Sequence, residues 1–549
     1  MQKIKIISYT LSVIGLIVAI GWIFKYHTHY HWYHLAIYHL IGDRYKDGDG
    51  LRKYYSNAEE IFTNPSLKTV PKWYFRPNHL GNFCLAGLVA DANRDGQICT
   101  YIAGDTKDIY CLNGKTGEIV WQYTLPFGKF SELSYLLFDV DHDGKTELLV
   151  GTCGSTLPNR VYCLSSEINP TERVIWHVNV HGDFIQGGLT AFRNENDEAR
   201  IIVSTRDAPY SRGTLYVLDQ HGKDVITPIS GVDNCNCRPA IADLDLDGHY
   251  EMVIGSHSYY GAKFGWKITA LRVETGEILW STDAGYDTGA MSFPICDFTG
   301  DGISEVIGYK KILDAKTGQI IFDFEKNAEY NIKWLNGIAY KDSVLYRLYG
   351  FTDDTLKHEM IVDYSDKKII AKLDTYSYKR STPLLDINND GQLNYISAYI
   401  VRDTLPKLNI YLVDAYEGSH IDSISIEFDE NAYAKLSERI PSQIEFANMQ
   451  KNGPTNWKSN DYTLIVNTIT APILDTLFIK YASLSDVDGD SKWELLATVN
   501  SMYFCFDLPY SIADRYKRDK RFVMNQFIDN TGFDYDYPYR DRNFVREAN

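Results

Sequence analysis

Asp139, Asp141, Asp143 and Glu147 stand in one short stretch, FDVDHDGKTELLVG, residues 138–151. Three carboxylates two residues apart converge only if the backbone curls about a common centre, and Gly144 at the sixth place permits that turn. Lys145 at the seventh place would add its backbone carbonyl, and Glu147 at the ninth would close the shell from the far side. Hard oxygen donors in this number suit Ca²⁺. An EF-hand is the competing reading, but it needs flanking helices and its last acid at the twelfth place. Here the acid comes at the ninth, and the apolar run Leu148, Leu149, Val150 reads as a buried strand.

The stretch recurs. ADLDLDGHYEMVIG carries Asp243, Asp245, Asp247, His249 at the seventh place and Glu251. CDFTGDGISEVIG carries Asp297, Thr299, Asp301, Ile303 and Glu305, with Thr299 in place of a carboxylate. SDVDGDSKWELLAT carries Asp486, Asp488, Asp490, Lys492 and Glu494, with Ser491 where Gly is expected. Two weaker copies lack the ninth-place acid. One is Asp91, Asn93, Asp95, Gln97, with Cys99 in that place; the other is Asp386, Asn388, Asp390, Gln392, with Asn394 there. Several structural Ca²⁺ ions are therefore expected, with the 139 and 243 loops, each offering three Asp and one Glu, dominating the stabilisation.

The formal net charge is −17. That excludes a nucleic-acid partner as the natural reading, because phosphate backbones are bound by excess positive charge. Much of the acidity sits in the six loops, so it reads as a metal requirement more than a surface property. The nine cysteines are scattered and form no CxxC, which argues against a zinc or thioredoxin-type site. Their simplest role is that of small apolar side chains.

Positioning such loops requires strands on both sides. The first Asp of each loop falls at 91, 139, 243, 297, 386 and 486, so the gaps are near one or two multiples of about 50 residues. That is the sign of a repeat architecture. Two of the double gaps hold degenerate copies, FRNENDEARIIVST at 192–205 and IAYKDSVLYRLYG around Lys341. A second motif alternates with the loops: YCLNGKTGEIVWQY at 110–123, ITALRVETGEILWST at 268–282 and KILDAKTGQIIFDF at 311–324, with weaker versions at 162–178, 215–229, 361–374 and 410–426. Each is a strand, a polar turn and a second strand, a hairpin signal. A loop with its strands plus this hairpin makes four strands per repeat, the content of a propeller blade.

The fold expected is an all-β propeller of eight four-stranded blades, with seven as the alternative, over residues 71–510. Residues 429–483 break the period and read as an insertion, and 511–549 read as a tail packed on the ring. The last unit lacks a closing strand, and PKWYF at 71–75 is an orphan strand. The economical solution is that the orphan completes the last blade and ties the ends of the ring.

The acidic loops, D-x-D-x-D-G-x-x-E followed by an apolar strand, resemble the FG-GAP (VCBS-type) repeats found in integrin α-subunits and many bacterial surface proteins. The hairpin segments resemble the repeats of quinoprotein-like (PQQ-type) propellers. The resemblance implies a calcium-bearing propeller and leaves function open, since propellers serve many roles.

Ile6–Phe24 is an uncharged run of 19 residues preceded by Lys3 and Lys5. It is long enough to span a bilayer, with the N-terminus cytoplasmic and the remainder outside. Residues 1–25 thus read as an uncleaved anchor, with a cleaved signal peptide as the rival. Residues 26–70 read as a juxtamembrane helix and linker, in which His27, His31 and His34 would share one helix face. The leading expectation is a membrane-anchored, extracytoplasmic binding or scaffold module whose partner is an envelope protein or a glycan. The alternative is a calcium-dependent, lyase-like enzyme acting on polysaccharide, or a quinoprotein-like enzyme. No Ser/His/Asp set is marked out, and there is no adjacent Cys–Cys pair of the kind seen in many quinoprotein dehydrogenases, so catalytic residues are not assigned.

Overall fold

The computed structural model describes residues 71–75 and, apart from short loop segments, 87–426 and 479–513. The anchor and linker expected at 1–70, Asp297, Thr299 and Asp301, most of the 429–483 insertion and nearly all of the C-terminal tail lie outside the described residues, as do two of the cysteines, Cys235 and Cys237. Among the described residues no helix is long and apolar enough to cross a membrane.

The architecture is all-β, and its strands pair antiparallel throughout. Strand β1 (Trp73–Phe75) opens the described chain. The first sheet follows with β2 (Leu88–Ala90), β3 (Cys99–Ala103), β4 (Asp108–Asn113) and β5 (Ile119–Thr124). The second has β6 (Lys129–Phe138), β7 (Glu147–Cys153), β8 (Asn159–Leu164) and β9 (Val174–Val180). The third has β10 (Leu189–Arg193), β11 (Ala199–Ser204), β12 (Thr214–Leu218) and β13 (Ile229–Ser230). The fourth has β14 (Ala240–Ala242), β15 (Glu251–Gly255), β16 (Lys267–Arg272) and β17 (Ile278–Asp283), and the fifth β18 (Ile295–Cys296), β19 (Glu305–Ile307), β20 (Lys311–Asp314) and β21 (Ile320–Asp323).

The sixth sheet runs β22 (Ile332–Lys341), β23 (Ser343–Asp353), β24 (Leu356–Asp363) and β25 (Lys368–Leu373). The seventh shows three strands, β26 (Asn394–Arg402), β27 (Pro406–Asp414) and β28 (His420–Ile426). The eighth has β29 (Ile479–Ser485), β30 (Lys492–Val499) and β31 (Met502–Ser511). Residues 479–483, read from sequence as the end of the insertion, lie in β29. Both degenerate copies form complete sheets, the third and the sixth.

Burial explains the two strand patterns. Inner strands such as β3, β11, β12 and β15 are buried along their whole length. Packed on both faces, they need near-continuous apolar runs. The fourth strands, β5, β9 and β17, alternate exposed and covered residues, as half-buried edges do. Successive sheets share cores. Leu88, Tyr101 and Trp121 of the first pack with Tyr135 and Leu148 of the second. Leu149 and Val161 of the second pack with Leu189 and Ile201 of the third, and the third, fourth and fifth share another cluster. This is a propeller-type succession of sheets.

Strand β1 is the fourth strand of the eighth sheet: Trp73 pairs with Cys505, Tyr74 with Phe504 and Phe75 with Tyr503. The same sheet packs on the first, where Trp73, Phe75, Leu496 and Tyr503 meet Val89, Ile102 and Tyr110. Trp73 makes the join specific. Its indole N–H donates to the Gly114 carbonyl at 2.6 Å, and its ring lies so close over Gly117 that a Cβ there would sit 2.8 Å from it. Gly117 also has φ +73°, so glycine is required twice over. The contact recurs between the second and third sheets, where Trp176 donates to the Gln220 carbonyl at 2.9 Å over Gly222. It recurs again between the fourth and fifth, where Trp280 donates to the Ala315 carbonyl at 2.8 Å over Gly318.

Candidate metal loops

The 91, 139, 243, 297 and 486 loops each join the first strand of a sheet to the second, and the 386 loop leads into β26; all but the 297 loop share one backbone course. The fourth-place residue is left-handed at Arg94, His142, Leu246, Asn389 and Gly489 (φ +57° to +82°), and so is the sixth at Gly96, Gly144, Gly248, Gly391 and Ser491 (φ +65° to +94°). The 486 loop thus places its glycine at the fourth place and strains Ser491 instead. The carboxylates make the curl by capping the backbone. The sixth-place N–H donates to the first Asp, at 3.0 Å from Gly96 to Asp91, from Gly144 to Asp139 and from Ser491 to Asp486, 3.2 Å from Gly248 to Asp243 and 3.1 Å from Gly391 to Asp386. The seventh-place N–H donates to the fifth-place Asp: Gln97 to Asp95, Lys145 to Asp143, His249 to Asp247, Gln392 to Asp390 and Lys492 to Asp490, all within 2.7–2.9 Å.

The ninth-place acid is held from beneath. The Glu147 carboxylate accepts the Val140 N–H at 2.8 Å, Glu251 that of Leu244 at 2.7 Å and Glu494 that of Val487 at 2.8 Å. All three glutamates are buried. Burial first, and the neighbouring aspartates after it, push each carboxyl up to about 7. A divalent ion bound directly by these oxygens would oppose the shift. In the 386 loop Asn394 fills the same place, its Oδ1 accepting the Ile387 N–H at 2.8 Å, so a shorter, neutral amide keeps the loop closed. In the 91 loop Cys99 stands there and accepts a hydrogen bond from Gln97. Glu305 is buried at the foot of the 297 loop, while Ile303 is exposed.

Three of the loops bring carboxylate oxygens within 4.8 Å of one another: Asp139, Asp141 and Glu147; Asp243, Asp245 and Glu251; Asp486, Asp488 and Glu494. The fifth-place Asp143, Asp247 and Asp490 lie outside these triplets. One oxygen in each of the first two, Asp139 Oδ1 and Asp245 Oδ1, is buried without a hydrogen bond. The donor sets fit an oxygen-seeking divalent ion. Their surroundings differ. At the 139 loop Lys145 turns away to Glu167 at 2.6 Å, and Arg193 donates to the Asp139 carbonyl at 2.6 Å while staying 3.8 Å from its Oδ1. Among the described residues no basic side chain pairs with Asp141, Asp143 or Glu147.

At the 243 loop the Arg272 guanidinium reaches Asp247 at 2.6 Å, Glu251 at 2.9 Å and Asp245 at 3.0 Å. Its hydrogen bond holds the Asp247 carboxyl down to about 2. At the 486 loop the Lys72 ammonium reaches Asp507 at 2.7 Å, Asp488 at 2.8 Å and Glu494 at 3.4 Å. Burial works against the charge of Lys72, but the bonds to Asp488 and Asp507 overcome it and raise its pKa. Sequence reasoning missed Arg272 and Lys72. The signal for Arg272 lay in the hairpins, where Asn113, Asp314 and Asp414 occupy the corresponding place and Arg272 alone is basic.

Neighbouring loops also touch. His142 meets Asp197 of the third sheet's turn at 3.0 Å, His249 meets Glu195 of that turn at 2.8 Å, and the Arg94 guanidinium lies against Gly144. The first four sheets therefore present their loops side by side, on one side of the succession. Four cysteines, Cys99, Cys111, Cys163 and Cys505, are free and buried.

No known family model matches the chain, and no curated protein matches it. Solved structures do. The exotype rhamnogalacturonan lyase YesX is 14% identical, over 86% of this chain and 79% of that one, with a TM-score of 0.49. BamB from Moraxella catarrhalis is 16% identical, over 65% and 91%, with a TM-score of 0.39. A quinohemoprotein alcohol dehydrogenase from Pseudomonas putida HK5 is 12% identical, over 65% and 69%, with a TM-score of 0.43. At these identities and scores the likenesses assign no activity, and the architecture rests on the pairing and packing of the sheets themselves.

Proposed function

We propose that this chain is a membrane-anchored β-propeller of eight blades, closed by β1, that stands outside the cytoplasm as a binding or scaffold module and holds Ca²⁺ as a structural ion. The observation that carries the calcium reading is the 139 loop. Three of its carboxylates, Asp139, Asp141 and Glu147, converge within 4.8 Å, one buried Asp139 oxygen has no hydrogen bond, and no basic side chain among the described residues forms an ion pair with Asp141, Asp143 or Glu147. Asp139, Asp141, Asp143 and Glu147, with the Lys145 carbonyl, would hold the ion, in the manner of the FG-GAP repeats that the loops resemble. The chain's own part is to fix the curl by backbone hydrogen bonds before the ion arrives, which lowers the ordering cost of binding.

Closure at eight is supported by the eight sheets and by the Trp73 join between the last and the first. The extracytoplasmic setting is supported by the uncharged run Ile6–Phe24 behind Lys3 and Lys5, and it is a setting in which calcium is plentiful enough for weak sites. An envelope protein or a glycan is the partner class this setting offers. Protease added to intact cells, with any outer membrane permeabilised, tests the topology. Digestion of the propeller is expected. Protection in intact cells together with cleavage after lysis would contradict it.

A further inference from the structure

We infer that the 243 and 486 loops carry protein cations, Arg272 and Lys72, at the place where the acidic-loop pattern calls for a divalent ion. The inference builds on the calcium reading of the 139 loop and separates the three acid triplets into two kinds.

Arg272 is the stronger case. It ends β16 opposite the ninth-place acid, with Glu251 and Arg272 as register partners. The same register position holds Asn113 opposite Cys99, Asp314 opposite Glu305 and Asp414 opposite Asn394. Those residues cap their own hairpin turns: Asn113 accepts the Lys115 and Thr116 N–H groups, Asp314 that of Thr317 and Asp414 that of Glu417. An arginine has no acceptor and cannot cap. Instead it turns into the loop and spans the third, fifth and ninth places, Asp245, Asp247 and Glu251, at 2.6–3.0 Å. Those are three of the four carboxylates that would ligate an ion. Asp245 Oδ1 lacks a hydrogen bond, but the guanidinium contacts the other oxygen of that carboxylate. A divalent ion seated among the same oxygens would lie within a few Å of a fixed positive charge, so it could enter only by displacing Arg272.

Lys72 does the same from another direction. It immediately precedes β1, and its backbone N–H donates to the Cys505 carbonyl at 2.9 Å. That bond aims the ammonium at Asp488 and Glu494, the third and ninth places of the 486 loop. The cation of the last loop is therefore delivered by the strand that completes the sheet, and loop and clasp close together.

The test is the number of calcium ions bound per chain, measured by equilibrium dialysis with ⁴⁵Ca²⁺ on the full-length protein in detergent. Asp245→Ala and Asp488→Ala are expected to leave the number unchanged, whereas Arg272→Gln is expected to add one ion. Loss of one ion in either Asp→Ala variant, or no gain in folded Arg272→Gln, would overturn the inference. Should Arg272→Gln fail to fold, the two Asp→Ala variants decide alone. Asp141→Ala reports separately on the 139 loop and is expected to lose one ion. A wild-type chain that binds none would overturn that earlier reading, and the gain or absence of an ion in Arg272→Gln would still decide this one.

Discussion

The loops at 139 and 243 share their acids, their glycine and their backbone course, yet the protein treats them differently. At 139 the carboxylates face one another, and among the described residues no basic side chain pairs with Asp141, Asp143 or Glu147, Arg193 standing 3.8 Å from Asp139 alone. At 243 an arginine from the third strand of the sheet lies among them. The residue that separates the two stands 21 places beyond Glu251, outside the repeat that defines the loop. The charge an acidic loop needs can come from solution or from the chain, and a neighbouring strand decides which. The first choice leaves stability tied to the ion, whereas the second builds the cation in.

The largest expected effect comes from outside both loops and sets the scale for them. Trp73→Ala removes a buried indole and its hydrogen bond from the join between the eighth and first sheets, and should cost about 3–5 kcal/mol. Urea unfolding should show the same loss in calcium and in chelator, because the join involves neither loop's ion. Next comes Arg272→Gln. In chelator it strips Asp245, Asp247 and the buried Glu251 of their partner, at a cost on the order of 2–3 kcal/mol. Calcium should recover most of that loss, turning the 243 loop into a second 139 loop. A loss that calcium leaves untouched would break the comparison.

A smaller effect is expected from pH. The folded Glu147 carboxyl sits at about 7, above its unfolded value. Its contribution to stability is therefore fully present below about pH 4.5 and is lost as pH rises through about 7. In chelator, wild-type stability should fall over that window more steeply than that of Glu147→Gln. Calcium should flatten the wild-type curve. The smallest effect belongs to Asn388→Ala. Among the described residues its side chain bonds within its own exposed loop, whose ninth place is already the neutral Asn394. The change should stay within about 0.5 kcal/mol in either condition.

Much of this was legible in the sequence, for physical reasons. The loops could be read because a curl of alternating carboxylates demands a left-handed turn and an apolar strand behind it. The sheets at 189–230 and 332–373 could be read from their strand patterns alone, without ligands. PKWYF could be placed in the last sheet because an unfinished sheet leaves an edge that needs a partner. Arg272 and Lys72 were not legible as partners of the loops. Their role depends on register across strands and on chain ends far apart in sequence, and a basic residue in a hairpin reads by default as a solvated surface charge. The 486 loop also shows that the expected glycine can move two places when Ser491 accepts the left-handed conformation.

The account stands most directly on the thermal unfolding of the wild-type chain and Asp141→Ala, each in calcium and in excess chelator. Binding to the folded state alone stabilises it by about 2.7 kcal/mol per site when free calcium is about one hundred times Kd. The wild type should therefore melt higher in calcium than in chelator, and Asp141→Ala should lose most of that difference while Asp245→Ala keeps it. Wild-type curves that coincide in calcium and chelator would mean that the 139 loop is an ordinary acidic turn, and would contradict the account.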